Sequence, residues 1–138
     1  MKRVLFALAL VALFGACKPH QPETPKIDVT GTWDLESITT KVAIGGEQVS
    51  VYIGFESEGA FTLYQKIGAG RYTRFDGTWT IDQEAATLSG VYSGGDSWGP
   101  YSCTCSESTL VLTTASGGES DTYKRIEAIP AEVIQNVY

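Results

Sequence analysis

Few side chains in this sequence are of a type and spacing that could do chemistry. The single histidine, His20, stands in a proline-rich stretch, so no Ser-His-Asp or Cys-His set can form in the folded part. Cys103 and Cys105 flank Thr104. On a strand, positions i and i+2 face the same way with Cα atoms about 6.5–7 Å apart. That is the upper limit for a disulfide, so the pair reads as two inert buried thiols or as a strained bridge. Two thiols without histidine fall short of the four ligands zinc usually takes, and no metal is expected. Carboxylates gather in Glu56-Ser57-Glu58-Gly59, Asp82-Gln83-Glu84-Ala85 and Ser106-Glu107-Ser108. These are turn sequences, and their acids read as solvated tips rather than acid/base pairs. Gly68-Ala69-Gly70 lacks the further glycine and the helix of a phosphate loop. The expectation is a protein that is not an enzyme and carries no cofactor. A net charge of −6 also argues against nucleic acid as a partner.

What remains is binding. Trp98 falls in Ser93-Gly94-Gly95-Asp96-Ser97-Trp98-Gly99-Pro100, which reads as the longest glycine loop of the chain. A large apolar ring on a polar loop is exposed unless it caps a cavity or meets a partner.

The elements that would position it are strands. Between Val29 and Ile129 there is one proline, Pro100, and β-branched and aromatic residues alternate with polar ones. Eight strands are predicted, over Thr30–Thr39, Val49–Glu56, Phe61–Ile67, Tyr72–Ile81, Thr87–Ser93, Tyr101–Cys105, Leu110–Ala115 and Thr122–Glu127. Val49, Val51, Ile53 and Phe55 share one face of the second, which is the period-two pattern of a strand covering a core on one side. The connections alternate between short acidic turns and glycine-rich segments, the latter including Gly45-Gly46, Gly68-Ala69-Gly70 and Gly117-Gly118. In an up-and-down meander alternate connections lie at opposite ends. The predicted fold is therefore all-β, an eight-stranded antiparallel barrel with tight turns at one end and pliable loops at the other. A two-sheet sandwich is the alternative. Pro130 suits the first turn of a short C-terminal helix, with Val133, Ile134 and Val137 packed on the barrel wall. Inward positions near the glycine end are Val51, Gln65, Phe75, Tyr92, Tyr101, Cys103, Leu112 and Tyr123, which with Trp98 form the candidate ligand-binding set. Trp33 and Trp79 are expected at the opposite end, each given room by the glycine two residues before it.

The N-terminal segment carries an address. Lys2 and Arg3 precede an apolar run from Val4 to Phe14, a secretory signal too short to span a bilayer. Leu13-Phe14-Gly15-Ala16-Cys17 resembles a bacterial lipobox. The resemblance implies cleavage after residue 16 and lipidation of Cys17, hence a membrane partner through the lipid anchor. Lys18 in place of Asp implies the outer membrane. Pro19, Pro22 and Pro25 recur every third residue, so residues 17–28 read as the Cys followed by an extended tether, whose residues 18–28 span roughly 34 Å at about 3.1 Å per residue. Residues 29–138 form the domain.

Gly31-Thr32-Trp33 at the start of the first strand looks like the Gly-x-Trp motif of lipocalins. With Phe75-Asp76-Gly77-Thr78-Trp79-Thr80-Ile81 and Thr122-Tyr123-Lys124-Arg125, the run resembles the lipocalin-like domains of small Gram-negative lipoproteins. The resemblance implies that Trp33 plugs the closed base of the barrel and that Arg125 stacks on it. Two functions follow as expectations. One is a membrane-anchored binder of a small hydrophobic or amphipathic ligand at the barrel mouth. The other is a cell-envelope interaction protein with a filled barrel and a protein partner. A cavity of roughly 300 Å³ or more at the glycine end would favour the first.

Overall fold

The computed structural model describes residues 26–38 and 48–138. Eight strands follow one another: β1 (Gly31–Ile38), β2 (Val49–Phe55), β3 (Ala60–Ile67), β4 (Thr73–Asp82), β5 (Thr87–Tyr92), β6 (Ser97–Cys105), β7 (Thr109–Thr113) and β8 (Ser120–Ile126). Each pairs antiparallel with its successor, and β8 returns to β1, so the sheet closes into an up-and-down barrel. Closure leaves no edge strand and excludes the sandwich. The helix α1 (Ala131–Gln135) follows β8.

The alternation of β2 settles which face is inside. Val51, Ile53 and Phe55 are buried, and their register partners on β3 are Gln65, Leu63 and Phe61. The tight connections β2–β3, β4–β5 and β6–β7 lie at one end, which we call the floor. The glycine-bearing connections β3–β4, β5–β6 and β7–β8 lie at the other, the mouth. Gly45-Gly46 of the β1–β2 connection, the signal segment, Cys17 and the proline tether lie outside the described residues.

Trp33 and Arg125 build the floor. Trp33 is fully buried, and its indole N–H donates to the Val29 carbonyl at 2.8 Å. Residues 33 and 125 are register partners across β1 and β8. The Arg125 guanidinium lies 4.3 Å over the indole ring, and it donates to the carbonyls of Glu107 at 2.6 Å and Thr30 at 2.8 Å. Trp79 joins the same end, its N–H shared between the carbonyls of Glu56 and Ala60 at the β2–β3 turn. The glycines have a different task from the one expected. A methyl group at Gly31 would run into the Arg125 guanidinium, and one at Gly77 into the Val91 carbonyl and the Phe61 ring. They clear space for neighbours across the sheet rather than for their own tryptophans.

Two differences from expectation change the architecture, while the other strand ends move by only one or two residues. β6 starts at Ser97 rather than Tyr101, so the β5–β6 connection is a short turn. Gly99 adopts φ +83°, the Gly99–Pro100 peptide is cis, and the register of β5 with β6 shifts between Leu88 and Gly90. The irregularity absorbs a proline that would otherwise have no place in a closed sheet. At the C-terminus the helix is shorter than expected. Val133 is buried with Tyr64 and Tyr72 on the outer wall, and Val137 packs there too, but Ile134 is half exposed. After Gln135 the chain straightens, and Val137 bridges to Tyr72 beside the β3–β4 connection.

Candidate functional site

Missing side chains on β4 and β5 shape the interior near the mouth. Register carries Phe61 across Gly77 to Tyr92, and the rings of Phe61 and Tyr92 meet edge-on at 5.7 Å over the glycine. Gly90 pairs with Trp98, and the indole occupies the space a methyl group at Gly90 would need. Trp98 therefore lies on β6 inside the barrel, not on a loop. It is edge-on to Phe61 at 5.4 Å and stacked with Tyr101 at 6.2 Å.

These rings leave a cavity of about 110 Å³. Its apolar part is formed by Ile53, Phe55, Phe61, Leu63 and Leu112. Its polar part is formed by Tyr92, Trp98, Tyr101, Asp121 and Tyr123. The volume is well below the 300 Å³ expected of a roomy site, because aromatic side chains fill most of the barrel. A second hollow of about 270 Å³ lies at the rim, lined by Gln65, Ile67, Ala69, Arg71, Thr73, Phe75 and Tyr138. Phe75 and Tyr92, with ring centroids 5.8 Å apart, form the seam between the two.

The sequence-derived set is thus divided. Tyr92, Trp98, Tyr101, Leu112 and Tyr123 come together around the inner cavity. Gln65 and Phe75 line the rim hollow. Val51 and Cys103 are packed into the core and line neither. Sequence reasoning missed Asp121, because the last strand was expected to begin at Thr122, two residues later than it does. The signal was present: Asp121 stands two residues before Tyr123, and on a strand the two share a face.

The electrostatics follow from burial. Asp121 is held above the usual carboxylate range by desolvation, and the nearby charge of Glu119 adds to the effect. Burial also pushes up the phenols of Tyr92 and Tyr123, and Tyr123 feels Asp121, Tyr101 and Tyr92 as neighbours. Among the described residues the one buried side-chain nitrogen or oxygen without a hydrogen-bond partner is the Trp98 indole nitrogen. Cys103 and Cys105 are free thiols. Burial raises Cys103 to about 11, with Cys105 adding to the effect, so Cys103 is a poor nucleophile at neutral pH. Among the described residues no group of three or more His, Cys, Asp or Glu could hold a metal ion.

No curated protein matches the chain. Among solved structures, the lipoprotein YedD from Klebsiella pneumoniae superposes with a TM-score of 0.52 at 12% identity, over 84% of this chain and 88% of that one. A DUF4847 family protein from Bacteroides vulgatus gives a TM-score of 0.48 at 14% identity, over 75% of this chain and 97% of that one. The first likeness concerns the fold. The profile of the lipocalin-like domain matches residues 29–112, from the buried Val29 under the floor to Leu112 beside the cavity. The closed eight-stranded barrel, its Gly-x-Trp floor and this match together place the chain in the lipocalin-like domain family.

Proposed function

We propose that the chain is a non-enzymatic lipoprotein, anchored in the outer membrane through lipid on Cys17, that holds a small hydrophobic or amphipathic molecule at the barrel mouth. The observation that carries the binding reading is the Trp98 N–H, buried at the cavity and without an acceptor. An unmade hydrogen bond of this kind costs about 1–3 kcal/mol, and an oxygen on a ligand would relieve it. The cavity is smaller than the ~150 Å³ that encloses benzene in an engineered protein core. A ligand would thus place a short segment inside and the rest against the rim hollow. The lipobox-like sequence and the lipoprotein named among the structural neighbours support the anchoring.

The exposed Ile67 and Phe75 at the rim favour a second reading, an envelope-protein partner docking on a largely filled barrel. Native mass spectrometry of the full-length protein purified from its membrane fraction separates the two. The binding reading expects an adduct beyond the lipid-modified mass, and Trp98→Ala should reduce its occupancy severalfold. Unchanged occupancy in that variant refutes the mouth assignment.

A further inference from the structure

The inner cavity has a sign. Among the described residues of its lining one is ionisable as an acid at ordinary pH, Asp121, and none is a lysine or arginine. The ion pairs among the described residues, Arg74–Asp76 and Lys124–Asp34, do not involve Asp121. Arg71 belongs to the rim hollow, beyond the Phe75–Tyr92 seam. Asp121 is partly exposed and has no cation beside it among the described residues, so a positive group placed next to it would favour its ionised form.

The rest of the lining suits one. Phe61, Tyr92, Trp98, Tyr101 and Tyr123 surround the same space. Aromatic rings attract organic cations through their quadrupoles, most strongly where water is excluded. Resting on the reading of the mouth as a binding site, the geometry points to a small organic ammonium ion bearing an oxygen, of the amino-alcohol class, as the ligand of this cavity. The cationic group sits beside Asp121 and the oxygen accepts from the Trp98 N–H, with the part of the ligand that the cavity of about 110 Å³ does not hold lying against the rim hollow. A carboxylate-bearing ligand is disfavoured, since no described residue of the lining offsets its charge against Asp121.

Isothermal titration of the full-length protein with choline and with its uncharged carbon isostere, 3,3-dimethylbutan-1-ol, tests this. The two share shape and hydroxyl group and differ in the charge. The inference expects choline to bind at least tenfold more tightly than the alcohol. Asp121→Asn should lower choline affinity at least tenfold and leave the alcohol within about threefold. The isostere comparison on the unaltered protein holds even if the variant folds poorly. Equal affinities, or tighter binding of the alcohol, overturn the charge assignment and leave the mouth-binding reading standing. If neither probe binds, the charge assignment falls, and the Trp98→Ala occupancy measurement decides the broader reading on its own.

Discussion

Replacing Arg125 tests the construction of the floor. Arg125→Met keeps an unbranched aliphatic stem over the Trp33 ring and removes the guanidinium. Two hydrogen bonds go with it, to the carbonyls of Glu107 and Thr30, and so does the cation lying 4.3 Å over the indole. Charged hydrogen bonds are worth about 1.5–3 kcal/mol each when shielded. Arg125 is exposed, so each is discounted to about 1 kcal/mol or less. The ring contact adds about 0.5–1 kcal/mol at an exposed site. The expected loss is about 2–3 kcal/mol, which moves a urea midpoint by roughly 1–2 M for an ordinary dependence on denaturant. Arg125→Lys keeps the charge near the ring but not the planar fork that reaches two carbonyls, so it should lose about half as much. Urea titration followed by tryptophan fluorescence reads both variants. An Arg125→Met protein within about 0.5 kcal/mol of the unaltered one would refute the claim that the guanidinium latches the floor.

Asp121 titrates above its unfolded value of 3.8, so the folded state takes up its proton more readily than the unfolded state does. Its contribution to stability is present below pH 3.8 and is lost as pH rises through the raised folded value. Asp121→Asn should therefore stabilise the fold at pH 7 relative to pH 3.5, and a stability difference that does not change with pH in paired urea titrations refutes the assignment. Gly90→Ala places a methyl group against the Thr78 carbonyl and the Trp98 ring. Overpacking of this kind costs about 1–3 kcal/mol, and thermal unfolding should show Tm lowered by roughly 4 °C or more, whereas an unchanged Tm means the indole does not rest on Gly90.

The fold was legible because its signals are local and repeated. Period-two alternation in β2, turn residues between short apolar runs, and the near absence of proline each point to strands. Alternate connections of unlike composition assign the two ends without any knowledge of packing. The Trp33–Arg125 contact came from the family resemblance, and register places it, since residues 33 and 125 are partners.

The site was legible only in part. Pro100 and its glycine neighbours carry the composition of a loop, and they are held in a strand by the register shift against β5, a tertiary event with no local signature. That concealed the inward position of Trp98. Cavity volume is equally non-local. It depends on Phe61, Tyr92 and Trp98 leaning across glycines on other strands, and alternation alone cannot distinguish a barrel they fill from one they merely line.

The chain enters the barrel from below. Ile27 exchanges two hydrogen bonds with the Gln83 side chain at the β4–β5 turn, and Val29 is sealed beneath the Trp33 indole. A load carried by the segment that leads into Ile27 therefore falls on the floor of the barrel. A mechanical pull, a surface attachment or a fused carrier protein joined there acts first on the end of the barrel opposite the glycine-bearing connections.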